Sequence, residues 1–378
     1  MARGNKTLVR AGFDALYYTG ASHLLGPLFK GVGVILSVNR VVPPWTDPLR
    51  PTGKNIIGPR FLETLLAYLR RRRIDIVSPD EVHRRLIQRD FRRRFVCLTL
   101  DGAYRDHYDQ AWPIFQKYDA PFTVFVPTGF PDRVGHVWWL AVAELVARNN
   151  HVTMVLDGRE QRIDCVTDED KYYLYDGLMR WLLDRSDNEQ IVTQVRDLCA
   201  RYGVDMTEIC ARTCMTWEQI GELARDPLVT IGAQSVSHPV LTKLSPQRAE
   251  HEIRMSRSVI EGAIGISPTH FAYPFGQAGV ADAREFQIAE DAGYLTAMTL
   301  QPGVLTREHA GKLTALPRIS LGAGFQRLRY AKVVMSGVPS AIASRFAKPA
   351  NYSSFVSDFD IQLISGIAGM IHPIPATA

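Results

Sequence analysis

The sequence predicts an α/β protein built as a (β/α) barrel of about seven parallel strands with a helical insertion. Three observations carry this expectation. Short apolar, β-branched runs alternate with amphipathic helical stretches, the pattern of a parallel sheet. Seven such runs are present, which favours a barrel over an open sheet. Three of them end in polar clusters, at the strand ends where parallel α/β proteins place their chemistry.

The elements follow in order. Gly31 to Val38 is a β-branched apolar run bounded by Gly33 and Pro43-Pro44, and reads as the first buried strand. Phe61 to Arg73 reads as a helix with Leu62, Leu65, Leu66 and Leu69 on one face. A short strand, Asp75 to Val77, follows, and Ser78-Pro79 starts a helix reaching about Ile87. Phe95 to Leu100 is a strand ending on Asp101, and Asp106 to Tyr118 a helix despite Pro113. Asp106 is expected to cap that helix and His107 to lie on its surface. Pro121 to Val126 is the next strand and Trp138 to Asn149 the next helix. Residues 150 to 215 lose the strand–helix alternation; they are charged and helical in character, and read as an insertion. Strands at Leu228 to Ile231, Phe271 to Tyr273 and Tyr294 to Leu300 complete the set. Helices at Ser245-Pro246 to Gly265 and Ala283 to Ala292 separate these last three strands. The chain thus divides into an N-terminal extension (1–30), a barrel (31–335, with the insertion at 150–215) and a loosely ordered Gly/Ser/Pro-rich tail (336–378).

Composition narrows the functional classes. The 378 residues are enough for a sizeable core, and 46% hydrophobic with 22% charged residues is ordinary for a globular protein. The net charge of +5 is concentrated in Arg70 to Arg73, Arg84, Arg85 and Arg92 to Arg94. Such a cluster reads either as solvated helix faces or as a patch for anionic lipid or acidic glycan. Nucleic acid is not expected, because no aromatic residues interleave with the arginines and no binding motif occurs. The five cysteines form no C-x-x-C pair, and Cys210 and Cys214 lack partners at zinc-site spacing; all five are expected as reduced thiols. No uninterrupted apolar run reaches about 18 residues, so no spanning helix is expected. Leu24 to Val38 is broken by Pro27 and Lys30 and lacks the form of a signal peptide. A cytoplasmic chain with peripheral membrane contact is the resulting expectation.

The polar clusters are Asp101-Gly102-Ala103-Tyr104-Arg105-Asp106, Gln234-Ser235-Val236-Ser237-His238-Pro239 and Tyr273-Pro274-Phe275-Gly276. In order and in the strand preceding each, they resemble the polysaccharide deacetylases of carbohydrate esterase family 4, which includes the chitooligosaccharide deacetylases of the NodB homology type. The resemblance spans roughly Gly31 to Ser336 and implies a deformed (β/α) barrel. It also implies metal-dependent hydrolysis of acetyl groups on sugars such as N-acetylglucosamine oligomers. In that family a zinc-like divalent ion, held by one carboxylate and two imidazoles, polarises the acetyl carbonyl and acidifies water, and a second carboxylate takes the proton.

Carried over by position, Asp101 falls on the catalytic base and His238 on one metal-binding histidine. Gly102 falls on the metal-binding carboxylate and Gln234 on the other histidine, so two of three ligands are replaced. Asn39 stands where many relatives carry histidine. Arg318, in Leu316-Pro317-Arg318-Ile319, is left to orient either the base or a substrate. Tyr273 and Pro274 match the third motif, and Trp138-Trp139 suits a sugar-stacking platform; these four are the expected substrate contacts. The catalytic acid has no counterpart that the sequence assigns. A single remaining imidazole does not hold a catalytic ion, so the expectation is an impaired or inactive deacetylase with no bound metal. The alternative is a glycan-binding or regulatory protein on the same barrel. The same residues also have plain structural readings: Asp101 as a turn cap, His238 as a loop histidine, the tryptophans, with Trp45 and Trp217, as packing. A metal site rebuilt from Asp106, His107 and His270 is a third, weaker reading.

Overall fold

The computed structural model describes residues 2–43, 56–156, 159–185, 188–322 and 326–346. Trp45 and most of the expected tail lie outside the described residues. Twelve strands are described: β1 Gly33–Val38, β2 Arg40–Val41, β3 Ile56–Ile57, β4 Asp75–Val77, β5 Phe95–Asp101 and β6 Phe122–Val126, then β7 His151–Leu156, β8 Arg159–Asp164, β9 Val229–Ala233, β10 His270–Ala272, β11 Thr296–Met298 and β12 Ile319–Ser320. The main sheet runs β11-β10-β9-β6-β5-β1-β12 with every pairing parallel, and β4 joins β5 at its N-terminal half. It curls into a deformed barrel with a seam between β11 and β12. Leu316 crosses that seam, its N–H donating to Ala297 O at 2.9 Å and its carbonyl accepting from Thr299 N at 2.9 Å.

Strand alternation decides what reaches the mouth. On β1, β5 and β6, Val34, Leu36, Val38, Val96, Leu98, Leu100, Phe122, Val124 and Val126 pack in one cluster, which includes the Leu62, Leu65, Leu66 and Leu69 face of helix Pro59–Arg71. The intervening positions face the interior, where Ile35, Phe95, Cys97, Phe125, Ala272 and Met298 pack together. The interior column of β5 therefore reads Phe95, Cys97, Thr99, Asp101, apolar at its start and acidic at its end. Register places Ser37 and Thr123 beside Thr99 and Phe125 beside Asp101.

Several local expectations change. The insertion opens with an antiparallel hairpin, β7 and β8, not with helix. Its inward face (Val152, Met154) is apolar while Arg159, Glu160 and Arg162 decorate the other strand, so charge hid the two-residue period. Helices Asp168–Arg185, Asn188–Arg201 and Met206–Thr213 then complete a second core with helix Trp138–Arg148. Glu144, buried on that helix, holds Arg148 and Arg212. The stretch after Asp106 begins as a wide π turn, His107–Ala111, before helix Trp112–Lys117, which accommodates Pro113 in its first turn. The expected tail starts instead with a helix, Val338–Phe346. It packs with helix Ala21–Phe29, and Gly337, in the turn from helix Leu328–Met335 into Val338–Phe346, allows the close approach: its φ is +73° and an added Cβ would sit 2.0 Å from Phe29 O.

Candidate functional site

The mouth of the barrel is built by three loops at the C-terminal ends of β5, β9 and β10. Six of their motif residues hold left-handed backbone: the non-glycines Ala103, Ser235, His238 and Phe275, with Gly102 (φ +95°) and Gly276 (φ +64°). Strained backbone of this kind persists only where surrounding contacts over-determine it. In the first loop Gly102 N donates to Phe125 O, which fixes the turn at the end of β5. In the second, Gln234 N donates to Val126 O at 3.0 Å. Glu252 grips the rest, accepting from Val236 N, Ser237 N and Ser237 Oγ at 2.7–2.9 Å. Ser235 Oγ accepts from His238 N at 3.1 Å.

Asp101 and Arg318 form a buried ion pair. Arg318 Nη1 donates to Asp101 Oδ1 at 2.7 Å and to Thr99 Oγ1 at 3.0 Å, and Nε donates to Thr299 O at 2.9 Å. Ser37 Oγ donates to the other carboxylate oxygen at 3.2 Å. Arg318 is fully buried and stacks over Phe125, 5.5 Å from its centroid. The structure thus brings Arg318 to Asp101 and leaves it no exposure for a substrate.

His238 sits close enough to Asp101 for that carboxylate's charge to act on it, but its neighbours are aromatic. Ring centroids of Phe275, Trp139 and Phe130 lie 4.8, 4.9 and 6.0 Å away. Trp139 Nε1 donates to Tyr104 OH at 3.0 Å, which extends the cluster to the first loop. Tyr104 lies over Gly102: a Cβ added there would meet Tyr104 Cε2 at 2.7 Å. The space in which a carboxylate at position 102 would begin is therefore filled by an aromatic ring. Gln234 is 2% exposed and its Oε1 has no partner among the described residues. No group of three His, Cys, Asp or Glu side chains among the described residues is placed to hold an ion. The donor set that remains, one imidazole and one neutral amide, does not fit the family's divalent ion.

Burial pushes the His238 imidazole down to about 4, and the Asp101 charge offsets only part of this. The folded-state value lies below the unfolded one of about 6.5, so the unfolded chain takes the proton first as pH falls. Stability from this residue is intact above pH ~6.5 and declines toward pH ~4, by about 3 kcal/mol in all. His238→Asn keeps a residue that tolerates φ +57° and removes the titration. Urea unfolding at pH 7 and pH 4.5 should show the wild type losing about 2 kcal/mol more than the variant. Equal losses would count against a buried, neutral His238.

Other expected site residues are placed elsewhere. Trp138 is 1% exposed and Tyr273 fully buried, its OH donating to Thr314 O at 2.8 Å; Pro274 is buried too. None of these three presents a surface to a sugar; the Trp-Trp pair serves packing, with only Trp139 half-exposed. Asp106 does not cap its helix: it accepts from Arg40 Nε and Val41 N, each at 2.8 Å, and so holds β2. His107 is buried, with Nε2 donating to Asn39 O at 2.6 Å. His270 opens β10, at the far end of the sheet from the mouth, between Thr296 Oγ1 and Asp80. These residues do not converge on a rebuilt metal site. Trp217 packs as expected, its Nε1 donating to Asp132 Oδ1 at 2.6 Å. The cysteines are free and buried. Sequence reasoning passed over Tyr104, Phe130 and Phe275 as site-formers, although Tyr104 and Phe275 stand inside the quoted motifs.

A cleft of about 690 Å³ borders the mouth where the insertion meets the second loop. His136, Asn188, Thr193, Arg196, Ser237 and Arg248 line it. Arg196 Nη2 lies 3.3 Å from His136 Nε2, while His136 Nδ1 is buried without a partner among the described residues.

Comparison with known proteins agrees with this architecture. Residues 181–297 match the family model described as Polysaccharide deacetylase, a segment that holds the second and third mouth loops. The polysaccharide deacetylase homologue YxkH of Bacillus subtilis (strain 168) is 26% identical over 110 residues, 29% of this chain and 37% of that protein. The chain therefore spans about a third of the length of that curated relative. Among solved structures, Streptococcus pyogenes deacetylase PplD in complex with acetate superposes with a TM-score of 0.52 at 18% identity, covering 80% of this chain and 96% of PplD. The de-N-acetylase from Aggregatibacter actinomycetemcomitans gives 0.50 at 12% identity, over 80% and 99% of the two chains. The structural likenesses show a shared barrel fold, and the similarity in sequence to the polysaccharide deacetylase model is confined to residues 181–297, which carry the second and third mouth loops.

Proposed function

We propose that this chain is a non-hydrolytic polysaccharide deacetylase homologue that binds carbohydrate without removing acetyl groups. The observation that carries the reading is the Tyr104 ring lying where a ligand carboxylate at position 102 would begin. The aromatic shell around His238 and the neutral Gln234 support it. A metal in this family supplies several kcal/mol of transition-state stabilisation, and each ~1.4 kcal/mol is tenfold in rate. Asp101 has a structural task here: with Arg318 and Ser37 it closes the interior of the barrel beneath the mouth. Carbohydrate recognition is assigned to the cleft beside the mouth, whose amide, hydroxyl and guanidinium groups suit a hydroxyl-rich ligand.

The test uses protein purified without chelator, loaded with zinc, cobalt or nickel and desalted. Metal content is expected below about a tenth of an equivalent, as loss of ligands implies. Acetate release from N-acetylglucosamine oligomers is expected to be undetectable. Titration calorimetry with the same oligomers should show binding that Arg196→Ala weakens about tenfold. One equivalent of metal together with acetate release would overturn the non-hydrolytic reading. Absence of oligosaccharide binding would overturn the carbohydrate part.

A further inference from the structure

The end of the sheet opposite the mouth gathers two features that neither the barrel nor its chemistry requires. The first is an inverted helix. Ala21–Phe29 turns its small residues Ser22 and Gly26 inward, where Gly26 packs against Ser336, and points Leu24, Leu25, Leu28 and Phe29 outward. Leu24 is 74% and Leu28 76% exposed, and Tyr18 just before the helix is 72% exposed. A helix ordinarily buries its large apolar residues, so a contiguous leucine face of this kind marks an interaction surface.

The second feature is charge. Residues 70–94 hold ten arginines against four acids, an excess of six, whereas the whole chain carries +5. Topology collects this charge at one end of the barrel. Lys30 precedes β1, Arg71 to Arg73 precede β4, and Arg92 to Arg94 precede β5, three strands adjacent in the sheet. Contacts make the ridge continuous: Arg94 Nη2 donates to Lys30 O at 3.0 Å, and Arg93 Nη2 to Arg73 O at 2.8 Å. Asp75, Glu81 and Asp90 are already engaged by Arg84, Arg85, Arg92 and Arg93. Lys30, Arg71, Arg73 and Arg89 are exposed and make no ion pair among the described residues.

We propose that this end of the barrel docks on an anionic lipid bilayer, with Leu24, Leu25, Leu28 and Phe29 entering the interface and the arginine ridge meeting lipid headgroups. The pairing of apolar insertion with basic attraction is what such a surface requires, and either signal alone gives only weak binding. A soluble polyanion would use the arginines but leave the leucines in water. Because all strands of the main sheet run parallel, docking by their N-terminal ends turns the mouth away from the membrane, toward the aqueous side.

Co-sedimentation of the full chain tests this with phosphatidylcholine vesicles, plain or containing about a third phosphatidylglycerol. Binding is expected only with the anionic vesicles and is expected to fall as salt rises. Leu24→Ser with Leu28→Ser should weaken it at least tenfold, with melting temperature unchanged because both side chains are exposed. Arg73→Glu with Arg89→Glu should weaken it about tenfold or more by an independent route. Failure to bind anionic vesicles overturns the proposal. Binding that the leucine variant leaves intact and soluble polyphosphate abolishes overturns it in favour of a soluble polyanion. A concentration-dependent dimer that the leucine variant abolishes overturns it in favour of a second copy of the chain.

Discussion

Arg318→Met should cost about 3–5 kcal/mol, the penalty for stranding one member of a buried ion pair. The guanidinium bonds Asp101, Thr99 and the Thr299 carbonyl, and its removal leaves the carboxylate with Ser37 Oγ alone. Asp101 is 5% exposed, so water does not replace the lost partner without rearrangement. A loss of this size is a large share of the 5–15 kcal/mol that holds an ordinary domain together. Asp101→Asn removes the charge from the other side. The double substitution should cost 1–3 kcal/mol less than the sum of the two single ones, since no unpaired charge remains. Denaturant unfolding of the four proteins gives the cycle. A single-variant loss under about 1 kcal/mol would mean the pair is solvated. Arg318→Met keeps an unbranched aliphatic stem in the barrel interior while removing the guanidinium that bonds Asp101 and lies over Phe125.

Sequence carried the barrel well because strand alternation and helix caps are local. The apolar runs at Val34–Val38 and Phe95–Leu100 are readable without any neighbour, and so are the caps at Ser78 and Ser245. The acidic end of β5 is equally local, since a two-residue period puts Asp101 in the interior once Cys97 is there. What surrounds Asp101 is not local. Arg318 comes from 217 residues along the chain, and only the β1–β12 pairing brings it near. Trp138 and Trp139 differ by one position, yet one is buried and the other half-exposed; helix rotation against the insertion decides this, and no motif encodes it. Asp106 and His107 were legible as polar residues on a helix start. Their burial follows from β2, which brings Arg40 and Asn39 onto them. The leucines of Ala21–Phe29 stand in the sequence only as part of an apolar stretch broken by Pro27 and Lys30; the helix, and the inward turn of Ser22 and Gly26, come from packing.

Restoring the two missing ligands alone should fail. In Gly102→Asp the new Cβ would lie 2.7 Å from Tyr104 Cε2, and φ of +95° strains any side chain there. The double variant Gly102→Asp with Gln234→His is therefore expected to unfold more readily than the wild type and to retain no stoichiometric zinc. Adding Tyr104→Ala opens the space over position 102 and also releases Trp139 Nε1 from its acceptor. The triple variant presents one carboxylate and two imidazoles around an open mouth, the donor set of a three-ligand hydrolytic site. It should take up about one equivalent of zinc, and zinc at a hundred times Kd should stabilise it by about 2.7 kcal/mol. Elemental analysis and thermal melts with and without zinc read both effects. Stoichiometric zinc in the double variant would show that Tyr104 swings aside freely and is no barrier. No zinc in a folded triple variant would show that positions 102, 234 and 238 do not converge. The contrast between double and triple variants isolates the ring, because both carry the same ligands. It turns on Tyr104, a residue that contributes no metal-binding atom, and it asks whether lost ligands or a filled space came to define this mouth.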